Sequence, residues 1–294
     1  MWTAVLCLGM AAGPGSALAT DYYVRTDGND SCNGLSDQGG SSGDCAFRTI
    51  QRCLGAAGCG DTCRVRDGEF FTPPQSLSDQ CSATSPFRLV GNGPARTTWY
   101  AGLVEVTGCS QDVAQYGPDA WACDVPSGAN AATGDYGQCF QQALIAPVYQ
   151  EDEQHSKGHL TEFMCLTPHG GSSSVQTEQG TYTIIDGGSR YLLHGWSDEG
   201  ADVTTFYAPA SGVSSGTIPV RIGGRNVVVE GFRILSGADY SVGMVEDRDC
   251  TIRDLAIFGG TFTVSGGSNG ATIEDVVVRN NYRRPYNGTG QTGT

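Results

Sequence analysis

Three segments toward the C-terminal end of the chain share one alternation of apolar and polar positions. They are Asn226 to Ile234 (NVVVEGFRI), Asp249 to Ile257 (DCTIRDLAI) and Gly270 to Val278 (GATIEDVVV), and their starts lie 23 and then 21 residues apart. Apolar or small residues fill the second, fourth, seventh and ninth positions of each. These are Val227, Val229, Phe232 and Ile234; Cys250, Ile252, Leu255 and Ile257; and Ala271, Ile273, Val276 and Val278. Period-two alternation on either side of a one-residue corner predicts two short strands per repeat, turning around a shared interior. Repeats of this length predict a solenoid, in which each pass of the chain covers the open apolar edge of the one before. Leucine-rich repeats have a similar period but need Leu at several fixed sites, whereas these sites are largely β-branched. A right-handed parallel β-helix fits better, with passes about 4.8 Å apart. It places Cys250 inward as a small buried hydrophobe. Outward, Glu230, Arg253 and Glu274 form an alternating-charge ladder. Gly231, Asp254 and Asp275 fall at the corner, where residues that tolerate bends or satisfy turn backbone groups are favoured.

At the other end, DYYVRTDGNDSCNGLSDQ reads as a strand followed by a polar turn. Phe47, Ile50, Cys53 and Leu54 lie at helical spacing and predict a short amphipathic helix over Ala46 to Ala57. GDTCRVRDGEF is then a first strand ending in a turn, and Phe87 to Gly93 (FRLVGNG) a second, with Leu89 placed 24 residues after Val65. The YYV segment, the FRTIQ helix and the GDT strand, in that order, resemble the opening of the pectate-lyase-like (pectin lyase fold) superfamily of right-handed parallel β-helix proteins. The resemblance covers residues 21–93 and 218–282. It implies an all-β solenoid with a short N-terminal capping helix, and it specifies fold far better than activity. Residues 94–217 interrupt the pattern and hold Trp99, Trp121, Trp196 and all four histidines. Within them, Gly180 to Trp196 reads as a hairpin around Asp186-Gly187-Gly188. The expected organisation is a signal over 1–19, cap and first coils over 20–93, a β-rich insertion over 94–217, and further coils over 218–294.

Composition sharpens this. The chain has 43 Gly among 294 residues, as many tight corners require, and only 16% charged residues, against about 25% in typical domains. With 17 basic and 31 acidic residues the net charge is −14, a poor match for nucleic acid, whose affinity comes mostly from phosphate neutralisation. The first nineteen residues carry an apolar stretch from Ala4 to Ala12, a Gly/Pro break and Ala17-Leu18-Ala19, the pattern of an export signal cleaved after Ala19. That stretch is far short of the roughly 20 residues a membrane span needs. Ten cysteines lie between residues 32 and 165: Cys32, Cys45, Cys53, Cys59, Cys63, Cys81, Cys109, Cys123, Cys139 and Cys165. In an exported chain they predict five disulfides whose pairing the sequence leaves open. A zinc site at Cys53, Cys59 and Cys63 does not fit the usual knuckle spacing.

The chemistry is harder to place. His155 and His159 have the spacing of two ligands on one helical turn, but their Gly-containing polar context favours a solvated loop. By resemblance, a polysaccharide lyase removes the proton alpha to a uronate carboxylate, using a Lys or Arg base with a cation or arginines to neutralise the carboxylate. Lys157, Arg279 and Arg283 are the candidates for catalysis, with Tyr282 and Arg284 for substrate binding. Asp254 and Asp275 are candidate Ca2+ ligands, although two carboxylates make a sparse calcium shell and a turn role is favoured. Glycoside hydrolases on this fold use grouped aspartates, and a non-catalytic extracellular adhesion protein is the other rival. Trp99, Trp121 and Trp196 tilt the reading toward carbohydrate contact. Only sixteen residues follow Val278, so later coils, and part of an active site, are expected to be missing. The expectation is a secreted monomer whose partner is polysaccharide, with neither nucleic acid nor a membrane span.

Overall fold

The computed structural model describes residues 19–111, 113–117, 120–129, 140–145, 160–168, 181–194, 202–211, 213, 217–236, 240–258, 261–265, 267 and 269–279. Among these, the side chains of 113–114, 140–145, 160–168, 181, 188, 202–205, 240 and 279 are not described. The expected export signal lies outside them up to residue 18.

The chain opens with β1 (Asp21–Val24), helix α1 (Ile50–Leu54), β2 (Thr62–Val65), β3 (Gly68–Thr72), β4 (Gln75–Leu77), β5 (Phe87–Val90) and β6 (Thr97–Ala101). A second group follows: β7 (Leu103–Val106), α2 (Val113–Tyr116), β8 (Ala120–Asp124), β9 (Phe140–Ile145), β10 (Leu160–Pro168), β11 (Thr181–Ile185), β12 (Arg190–His194) and β13 (Asp202–Pro209). The last group is β14 (Val220–Ile222), β15 (Val227–Ser236), β16 (Tyr240–Val245), β17 (Thr251–Phe258), β18 (Thr261–Ser265) and β19 (Thr272–Arg279).

The first and last groups form one curled, parallel assembly. Strands β1, β2, β5, β15, β17 and β19 pair in that order, all parallel. On the adjoining face β3 pairs with β6, and β6 with the second half of β15. A third face stacks β4, β14, β16 and β18, again parallel. The repeat read from the sequence sets the register: Val229 pairs with Ile252 and Ile252 with Ile273, while Ile234 pairs with Ile257 and Ile257 with Val278. The inward residues Val229, Ile252, Phe232, Ile234 and Ile257 are fully buried in one core shared by the three faces. Burying each such side chain is worth about 1.5–3 kcal/mol.

The corner behaves as its composition implies. Gly231, Asp254 and Asp275 adopt φ of 78°, 49° and 50°, the left-handed region that Gly and Asp tolerate best. A second such site opens each repeat, at Asn226, Asp249 and Gly270. Close approach also selects glycine: a Cβ on Gly91 would lie 2.2 Å from the Gly231 carbonyl oxygen. The ladder of Glu230, Arg253 and Glu274 forms in register, with Arg253 bonded to Glu230.

Two expectations change. The first passes pair Cys63, not Val65, with Leu89. The helix is α1 alone, because Phe47 is held extended: its N–H donates to Tyr23 and its carbonyl accepts from Arg25. Thr49 caps α1, accepting from the Arg52 N–H at 3.1 Å while its own hydroxyl donates to Asp30. Ile50 and Cys53 are fully buried over the top of the core.

The middle group forms a seven-stranded sheet in the order β7, β13, β9, β10, β11, β12, β8, with only β10–β11 parallel. The expected hairpin is present as β11 and β12, and Tyr182, Tyr191 and Leu193 point into that sheet's own core. It joins the parallel assembly through Leu103, Tyr207, Tyr100, Leu235 and Phe258. Among the described residues four disulfides are formed: Cys32–Cys45, Cys53–Cys63, Cys59–Cys81 and Cys109–Cys123. Cys139 and the side chain of Cys165 lie outside the described residues. Cys250 is a free, buried thiol, as expected, and burial pushes its pKa up.

Candidate functional site

A concave site lies where the corners of the first passes are long. Below β15 the corner is a single left-handed residue, but between β2 and β3 it is Arg66-Asp67, and between β5 and β6 it runs from residue 91 to 96. With the turn after β1, these corners enclose a cleft of about 520 Å³ lined by Arg25, Thr26, Asp27, Asp37, Arg66, Asp67, Asn92 and Arg96. Its volume falls in the range of small-ligand sites, about 300–1,000 Å³.

Strand register delivers these side chains. Val24 pairs with Val65, so Arg25 and Arg66 follow at equivalent positions of adjacent strands. Two guanidinium groups so close repel unless a carboxylate lies between them. Asp37 fills that role, accepting from Arg66 Nε at 2.9 Å and standing 3.7 Å from Arg25 Nη1. It comes from the loop closed by Cys32–Cys45. Asp27 takes Arg25 Nε at 2.7 Å. Asp67 pairs with Arg96 and accepts from Asn92 Nδ2 at 2.7 Å. Buried Thr97 ties the corners together: its hydroxyl donates to the Arg66 carbonyl at 3.2 Å and accepts from the Asn92 N–H at 2.9 Å. Gly68, with φ 133°, is required because a Cβ there would lie 2.5 Å from Thr26 Cγ2.

The electrostatics fix four of the cleft's charges. The bond from Arg25 holds the Asp27 carboxyl below its ordinary range, and Asn92 followed by Arg96 does the same for Asp67. Asp27 and Asp37 in turn raise Arg25 and Arg66. Asp27 and Asp67 therefore remain ionised at neutral pH, and Arg25 and Arg66 protonated. A glycosidase needs one carboxyl with a raised pKa as its acid. A lyase needs a group that accepts a proton. Asp27 and Asp67 lack the first property, and Arg25 and Arg66 lack the second. What the cleft offers is fixed, directional donors and acceptors.

A second polar group lies on the next face, at the seam with the seven-stranded sheet. Tyr207 donates to the Tyr100 hydroxyl at 3.2 Å, and Tyr100 donates to Glu69 at 3.2 Å. Burial, then Tyr207, pushes the Tyr100 phenol well up, and burial lowers Arg233 beside it. Phe71 stacks on Tyr100 at 4.3 Å, so this group is chiefly packing.

The residues singled out from sequence are not the ones gathered here. Lys157, Tyr282, Arg283 and Arg284 lie outside the described residues, as do His155 and His159. Arg279 ends β19, with its side chain not described. Asp254 and Asp275 stand exposed at left-handed corners, where they serve the turn. Two exposed carboxylates do not fit the six to eight oxygens that calcium takes. Among the described residues, no group of three or more His, Cys, Asp or Glu is placed to hold a metal ion. Trp99 is fully buried, its indole N–H donating to Thr72 at 2.8 Å, so it is core and not a sugar platform. Trp121 packs partly buried against the seven-stranded sheet's core, and Trp196 lies outside the described residues. The sequence signal for the cleft is the similarity of VRTDG (residues 24–28) and VRDG (residues 65–68), which follow β1 and β2.

No protein-family model and no curated protein matches the chain. Among solved structures, one described as the complex structure of XylC with xylose superposes with a TM-score of 0.50 at 10% identity, over 88% of this chain and 54% of that one. One described as a glycoside hydrolase gives 0.45 at 10% identity, over 81% and 62%. A rhamnogalacturonan lyase gives 0.30 at 10% identity, over 90% and 52%. The chain thus spans between 52% and 62% of the length of these structures. The first match establishes a shared fold. Among the described residues no helix is long and apolar enough to cross a membrane.

Proposed function

We propose that this is an exported, disulfide-bonded right-handed parallel β-helix protein of the pectate-lyase-like kind, and that it binds polysaccharide in the cleft between its first corners. The carrying observation is that cleft: three guanidinium groups and three carboxylates held in fixed positions on a rigid parallel scaffold. Sugars are recognised by such arrays, because hydroxyls both donate and accept and need partners of each kind. The shared fold with a protein solved in complex with xylose supports the reading. Four disulfides support an extracellular setting, where such bonds persist. Binding is favoured over cleavage because Asp27 and Asp67, held low, are poor proton donors for hydrolysis, and Arg25 and Arg66, held high, are poor bases for β-elimination.

Affinity electrophoresis against a panel of neutral and acidic polysaccharides tests this. At least one polymer is expected to retard the protein. Arg66→Gln, checked for an unchanged circular dichroism spectrum, is expected to weaken retardation about tenfold or more, the worth of one charge-assisted hydrogen bond. If no polymer retards the protein, or the variant behaves as the parent, the reading fails. Uronate polymers incubated in parallel are expected to give no absorbance from unsaturated products; its appearance would restore the lyase.

A further inference from the structure

The cleft is balanced in charge, and that narrows what enters it. Arg25, Arg66 and Arg96 line it with Asp27, Asp37 and Asp67. Each guanidinium already has a carboxylate: Arg25 with Asp27 at 2.7 Å, Arg66 with Asp37, and Arg96 with Asp67. Because Asp27 and Asp67 are held ionised, the pairs they make with Arg25 and Arg96 persist across neutral pH.

A uronate polymer brings one negative charge per sugar. Each guanidinium it approaches is already neutralised by an aspartate, so the uronate gains little net attraction there and meets the repulsion of that neighbouring carboxylate. The rest of the molecule does not help, since the chain carries a net charge of −14 and repels polyanions at long range. A neutral sugar meets no such obstacle. One hydroxyl of a vicinal pair donates to an aspartate oxygen while its neighbour accepts from the adjoining guanidinium, and each ion pair stays in place. Asn92 adds an amide beside Asp67. Among the described residues the lining holds no aromatic ring, so recognition there rests on hydroxyls and not on stacking.

We propose that the cleft selects a neutral polysaccharide, read through vicinal hydroxyl pairs by the alternating arginines and aspartates, and discriminates against uronate polymers. The inference rests on the carbohydrate reading above and turns it away from the acidic substrates of lyases.

Isothermal titration with neutral hexasaccharides (xylo-, cello- and manno-series) and with galacturonate and guluronate oligomers decides it. Each is measured with and without calcium, at low and high salt. The neutral oligomers are expected to bind with affinity changing less than about twofold across the salt range, since no net charge is exchanged. Uronates are expected to bind at least about tenfold more weakly. Asp67→Asn is expected to shift preference toward uronate, because it frees the Arg96 guanidinium. Uronate binding tighter than neutral binding in the parent protein, whether lost in salt or dependent on calcium, overturns the proposal while leaving the carbohydrate reading intact. Silence on every ligand overturns both.

Discussion

At the first pass of the parallel assembly α1 lies across the interior, and Ile50 and Cys53 are sealed at 0% exposure. At the last described pass, Ile273 and Val278 occupy the same inward positions as Ile252 and Ile257, yet are 46% and 41% exposed against 0%. Neighbouring Val277 and Val264 are also exposed. The alternation of apolar residues is the same in both regions, so the difference does not lie in the strand sequence. In a stacked assembly, burial is conferred by the adjoining layer, and a pass has a finished core only when something lies on both its sides. The first end has a helix, and among the described residues β19 has no strand paired on its far side.

The same substitution at the two ends should therefore cost different amounts. Ile50→Ala and Ile252→Ala are each expected to lower stability by about 3 kcal/mol in chemical denaturation with the disulfides intact, as large-to-small changes in closed cores do. Ile273→Ala, at the position equivalent to Ile252, is expected to cost under about 1 kcal/mol. Equal losses at Ile252 and Ile273 would show that β19 is covered and would erase the comparison. A smaller effect sharpens it. Val277→Lys, on a side chain 54% exposed, is expected to change stability by no more than about 0.5 kcal/mol. A loss above about 1 kcal/mol would show that Val277 is covered.

The repeated strands were legible because inward and outward residues alternate strictly, and the corner, a left-handed site, takes Gly or Asp. Register in the first passes was less so. Cys63 and Val65 both face inward, and a shift of two residues keeps every side chain on its face, so alternation alone does not choose between them. Phe47 has helical spacing with Ile50 and Cys53, but pairing with β1 captured it first. Sequence also counted Trp99 among the aromatics that tilt toward carbohydrate contact, where the core claims it. The cleft was the least legible element. Arg25, Asp37, Arg66 and Arg96 sit in separate polar turns, each an ordinary solvated residue on its own, and only strand register and the Cys32–Cys45 loop bring them together.

The central claim is that those turns form a saccharide site, and a crystal structure of the protein with a bound oligosaccharide tests it most directly. The prediction is sugar density in the cleft, with hydroxyls within hydrogen-bond distance of the Asp67 carboxylate and the Arg66 guanidinium and the ion pairs intact. An oligosaccharide seated elsewhere, with the cleft holding only solvent, would contradict it.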